Sequence, residues 1–159
     1  MKAVLQYRAS PGFRTRIEET VPDWLEVLVI DEADKGTFTA EMTEADVLLH
    51  VLEVVTGDVI VNSPALRLIQ KIGVGVNTID LDTAKSRDVA VCNMPGTNSR
   101  AVAEMTLTLM LAALRRVPYF DARMRVGEGW TAELNAFDDL GEIAGRTVGL
   151  IGYGDVARI

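Results

Sequence analysis

Two glycine-spaced strings carry the clearest chemistry in this 159-residue chain. The first, Lys71-Ile72-Gly73-Val74-Gly75-Val76-Asn77-Thr78-Ile79-Asp80, leaves an apolar run through two glycines one residue apart. Spaced this way, successive backbone N–H groups can turn toward one small anion. The competing reading is a plain strand-to-helix turn capped by an Asn or Asp. A second loop, Pro95-Gly96-Thr97-Asn98, follows the next expected strand, and ligands of open α/β sheets bind at the carboxyl ends of strands.

The other string, Val148-Gly149-Leu150-Ile151-Gly152-Tyr153-Gly154-Asp155-Val156-Ala157, is a G-x-G-x-x-A pattern directly after an apolar run. In a dinucleotide-binding fold the first glycine makes the tight turn and the second admits the pyrophosphate. The small third residue lets the following helix pack close, and the phosphate sits at that helix N-terminus. Glycine turns after strands also occur without a nucleotide. The carboxylate that would read the ribose is expected about 20 residues further on, outside these residues.

Composition bounds what such loops could serve. With 48% apolar and 25% charged residues the chain reads as globular, and a net charge of -7 repels phosphate backbones and anionic lipid surfaces. Neither nucleic acid nor a membrane is an expected partner. An anionic substrate would have to be held by local donors, because the overall field opposes it. No apolar stretch is long enough for a bilayer span or a signal peptide, so a cytoplasmic location is the expectation. Cys92 has no partner cysteine and is expected to be a small buried hydrophobe, and Trp24 and Trp130 to be packing residues. His50, the one histidine, ends the third expected strand and is read as structural or as lining the cleft. No metal site is assigned.

The elements that must position these loops follow from short apolar runs rich in β-branched residues: Ala3 to Tyr7, Glu26 to Ile30, Val47 to Val51, Leu68 to Val74 and Val89 to Cys92. Runs apolar on both faces suit a parallel sheet covered by helices, so the class is α/β. Helices are expected over Pro11 to Thr20, Thr39 to Ala45 and Thr56 to Asn62 with Thr56 as N-cap, and from Asp80 or Asp82 toward Arg87. After the loop at Asn93 to Asn98, which looks like a domain boundary, Asn98 or Ser99 should cap a helix from Arg100 to Arg116. That helix is apolar nearly all round and expects neighbours on most sides. A helix over Asp121 to Val126 and a strand over Arg146 to Ile151 complete the expectation.

In their order these pieces resemble the D-isomer-specific 2-hydroxyacid dehydrogenases. The matching strings are Gly73 to Asp80, Asn93 to Ser99, Ala101-Val102-Ala103-Glu104, Gly127-Glu128-Gly129-Trp130 and Gly152-Tyr153-Gly154. The resemblance implies a flavodoxin-like substrate-binding domain over residues 1–96 and the beginning of a Rossmann NAD(P)-binding domain over 97–159. It implies that the amides around Val74 and Gly75 hold the substrate carboxylate and that Asn98 lies at the cleft between domains. Val102 and Thr106 would approach the nicotinamide, and Gly152, Gly154, Asp155 and Val156 the pyrophosphate. It also places the loop of Val51, Leu52 and Glu53 near the substrate, where Glu53 would repel a carboxylate unless turned away.

The family's catalytic arginine, acidic partner and acid/base histidine lie downstream of the fingerprint, so no residue here is assigned as catalytic. The expectation is an incomplete, inactive dehydrogenase chain using NAD or NADP and a small 2-oxo or 2-hydroxy acid, and forming a homodimer. The alternative is a non-catalytic α/β interaction or dimerisation module.

Overall fold

A computed structural model describes residues 1–131 and 134–159. The chain divides into two compact units, Met1–Pro95 and Gly96–Ile159. The first holds a five-stranded parallel sheet formed by β1 (Lys2–Gln6), β2 (Glu26–Ile30), β3 (Val47–His50), β4 (Leu68–Lys71) and β5 (Ala90–Cys92), in the order β2-β1-β3-β4-β5. This is the flavodoxin strand order, whose direction of winding reverses between β1 and β3.

Four helices connect the strands: α1 (Pro11–Thr20), α2 (Lys35–Met42), α3 (Gly57–Val61) and α4 (Leu81–Ser86). Each begins on a short polar side chain that accepts from a backbone N–H of the first turn. Ser10 takes Phe13 N, Asp34 takes Thr37 N, Thr56 takes Val59 N and Asp80 takes Thr83 N. The core is a cross-strand row of Val4, Leu48 and Ile69, aligned by register and all fully buried, with Ile30, Phe38, Met42 and Ile60 around it.

The second unit contains α5 (Ser99–Leu114), α6 (Val117–Arg125) and a short 3-10 turn, Leu134–Ala136. Arg115 caps α5, and Arg116 turns the chain with φ 50°, placing Pro118 in the first turn of α6. Pro118 follows the end of α5 and lies in the first turn of the next helix, and α6 begins four residues before the helix expected at Asp121. None of the described helices is long and apolar enough to cross a membrane.

Several expectations need correction. Residues 146–151 form no strand; a parallel strand needs a neighbour for its N–H and C=O groups, and the described residues of this unit offer no other strand. Cys92 is exposed because β5 is the edge strand and Cys92 is its last residue. Trp24 and Trp130 are exposed as well. The helix expected from Thr39 starts four residues earlier, at Lys35, because Asp34 supplies its cap. The third and fourth strands stop at His50 and Lys71, where the chain leaves the ladder to form the loops described next.

Candidate functional site

Side chains alternate along a strand, so residues two apart share a face. Two places beyond the apolar row of Val4, Leu48 and Ile69, the same face of the sheet carries Gln6, His50 and Lys71, again in register. All three are buried. This polar row ends the core at the carboxyl edge of the sheet, where the loops begin.

Each member is tied differently. His50 is 3% exposed and its Nε2 lies 2.8 Å from Thr78 Oγ1 in the loop after β4. Burial, and then the neighbouring Lys71 ammonium, push the imidazole down from 6.5 to about 4, so it is neutral near pH 7. The Lys71 ammonium donates to the carbonyl of Val51 in the loop after β3. Gln6 Nε2 is buried with no partner among the described residues.

Two neighbouring loops fix the loop after β4. Ile72 N donates to His50 O (2.8 Å), Val55 N to Thr78 O (2.8 Å) and Asp80 N to Val55 O (3.0 Å), which makes a parallel bridge between Val55 and Ile79. On the other side Asn93 Nδ2 donates to Val74 O at 2.9 Å, and Met94 N to Gly73 O at 2.8 Å. Gly73 has φ +144°, a conformation that strains any residue with a Cβ.

Within this framework the carbonyls of Gly73, Val74, Val76 and Thr78 accept hydrogen bonds while the amides of Gly73 to Thr78 donate none among the described residues. Ile72 N and Ile79 N have acceptors, but the N–H groups of Gly73, Val74, Gly75, Val76, Asn77 and Thr78 donate to no acceptor among the described residues. Four of these residues, Val74, Gly75, Val76 and Asn77, line an open concavity together with Ile79 and the start of α4. A consecutive run of unused donors held by its own carbonyls can surround a carboxylate, since each N–H···O⁻ bond is charge-assisted and needs no reorganisation of the loop.

Val74 and Gly75 therefore lie together in one donor loop. Asn98 sits at the N-cap position of α5 but makes no side-chain capping bond. Val102 and Thr106 are exposed one turn apart on α5, where Thr106 Oγ1 donates to Val102 O at 2.8 Å. Gly152, Gly154, Asp155 and Val156 lie in an irregular segment with neither the strand nor the helix of a phosphate-binding turn. A Cβ added at Gly152 or Gly154 would meet nothing within 4 Å. As it stands the segment does not fit a dinucleotide.

Sequence reasoning missed the supports: Lys71 on Val51, Asn93 on Val74 and Thr78 on His50. The available signal was a polar residue ending each of three apolar runs, at Gln6, His50 and Lys71.

Comparison with known proteins agrees with the fold. The chain is 36% identical over 138 residues to D-3-phosphoglycerate dehydrogenase of Mycobacterium tuberculosis, covering 86% of this chain and 25% of that protein. It is 30% identical over 129 residues to hydroxypyruvate reductase of Thermotoga maritima, covering 80% of this chain and 41% of the relative. Among solved structures, NAD-dependent formate dehydrogenase from Staphylococcus aureus in complex with NAD superposes with a TM-score of 0.79 at 23% identity, over 99% of this chain and 51% of the other. The NADPH-dependent glyoxylate/hydroxypyruvate reductase from Sinorhizobium meliloti, in complex with NADP and malonate, gives 0.74 at 25% identity, over 99% and 47%. The chain thus spans a quarter to a half of the length of these proteins. The sequence profile described as "D-isomer specific 2-hydroxyacid dehydrogenase, catalytic domain" matches residues 4–153, nearly the whole chain. The chain belongs to the family of D-isomer specific 2-hydroxyacid dehydrogenases.

Proposed function

We propose that this chain supplies the carboxylate-holding part of a D-2-hydroxyacid dehydrogenase and does not turn over substrate as 159 residues alone. Residues 1–96 are its substrate-binding domain, and 97–159 begin its NAD(P)-binding domain. The observation that carries this reading is the run of unused amides from Gly73 to Thr78, anchored on both sides by hydrogen bonds to β3 and β5 neighbours. In an acidic molecule an acid substrate needs such a local donor set.

A bound nicotinamide would supply or take up the hydride at the carbonyl carbon of a 2-oxo acid, and the proton would need a protein acid/base group. Val74 and Gly75 hold the carboxylate. Asn98 joins them as a substrate-binding residue, Val102 and Thr106 serve the nicotinamide, and Gly152, Gly154, Asp155 and Val156 belong to the phosphate turn. That turn is not assembled here, so no step is assigned to it. His50 is buried, neutral and bonded to Thr78, and is not assigned the proton.

Titration of glyoxylate into 15N-labelled protein tests the cradle. The amide signals of Val74 and Gly75 should move with saturation near or above about 1 mM, which corresponds to roughly 4 kcal/mol of binding. Glycolaldehyde, which lacks the carboxylate, should leave them in place. Equal shifts from both compounds would contradict a carboxylate site.

A further inference from the structure

Resting on the carboxylate cradle just proposed, we infer that the acid it takes carries an uncharged, apolar remainder and no phosphate. The loop after β4 has one loop on each side, and neither offers a free cation. After β3, Leu52 and Val54 are 66% and 64% exposed, and Glu53 between them is paired with Lys35. Lys71 is buried and committed to the Val51 carbonyl. After β5 come Asn93, Met94 and Pro95, all uncharged. The cradle itself leads into Asp80 and Asp82, two carboxylates.

A phosphate monoester brings nearly two further negative charges at pH 7 and is ordinarily met by arginine or lysine. Here it would stand beside Asp80 and Asp82, with the Lys35 ammonium already engaged by Glu53, in a molecule of net charge -7. The exposed Arg8 follows β1, two strands from β4, about 10 Å away at the usual strand spacing. What the β3 loop presents beside the cradle is aliphatic surface, Leu52 and Val54, and covering it with an apolar group is favourable. The site therefore suits a branched or straight aliphatic acid, although relatives matched at 36% identity are named for a phosphorylated one.

The test compares two 2-hydroxy acids in NMR titrations of the 159-residue chain at equal ionic strength: D-2-hydroxy-4-methylpentanoate and D-3-phosphoglycerate. The aliphatic acid should shift the Val74 and Gly75 amides together with the Leu52 and Val54 methyls. The phosphorylated acid should bind at least about tenfold more weakly. Leu52→Lys changes an exposed residue outside the cradle and should narrow that gap by improving phosphoglycerate binding about tenfold. Equal or tighter binding of phosphoglycerate by the unaltered chain overturns the inference and leaves the cradle standing. If neither acid nor glyoxylate moves the Gly73 to Thr78 amides, the cradle reading fails and the inference falls with it.

Discussion

The imidazole of His50 lies at the end of β3 with the Lys71 ammonium as its charged neighbour on β4 and a hydrogen bond to Thr78. Its folded value of about 4 is below the 6.5 it would have in an unfolded chain. Between these values the unfolded chain binds more protons than the folded one, so stability falls as pH is lowered from 6.5 toward 4. Above 6.5 the effect vanishes. Asp34 and Asp80 are held below their ordinary value by bonds from Thr37 and Thr83; their stabilisation is present above about 3.8 and is lost only at lower pH. Melting curves across pH 7 to 4.5 should therefore show a progressive loss of Tm in the wild type and a flatter profile in His50→Gln. Identical profiles would mean that another group titrates in this window.

At the scale of elements, α3 and α4 approach closely at Gly57. A Cβ on Gly57 would lie 2.8 Å from Asp80 Oδ2 and 2.9 Å from Thr83 Oγ1. Those two atoms are bonded to each other in the cap of α4 and cannot simply swing away. Gly57→Ala should cost about 1 to 3 kcal/mol by overpacking and loosen the cradle beside it. A Tm within about a degree of wild type would show that the cap yields freely. The sequence made these elements legible where local chemistry decides: apolar β-branched runs marked all five strands, and Thr56 and Asp80 announced their helices. It failed where tertiary partners decide. An apolar run reads the same whether or not a neighbouring strand exists, so Val148 to Ile151 looked like β structure. Edge and centre also read alike, so Cys92 looked buried. The candidate loop was legible from its glycines, but the bonds from Asn93 and Lys71 that hold it join strands distant in sequence.

Across the whole molecule the two units differ in how much apolar surface they cover. The first closes a core between sheet and helices, whereas α5 leaves Met105, Leu107, Leu109 and Leu111 about half exposed. Large side chains gain about 1.5 to 3 kcal/mol each when buried. Sedimentation equilibrium should accordingly show dimers or larger species at micromolar concentration, and a clean monomer would argue against association through α5. Holding a carboxylate is one task, and moving a hydride and a proton is another. A positioned acid/base group contributes about 100- to 10,000-fold, and His50, the histidine of this chain, is buried and bonded to Thr78. The most direct measurement is nicotinamide absorbance with the 159-residue chain, NADH and glyoxylate, at concentrations where the Val74 and Gly75 amides report bound glyoxylate. The expected result is binding with no loss of NADH beyond the protein-free rate. Steady turnover by this chain would contradict it, because the proton would then have to come from a residue such as His50, buried and bonded to Thr78.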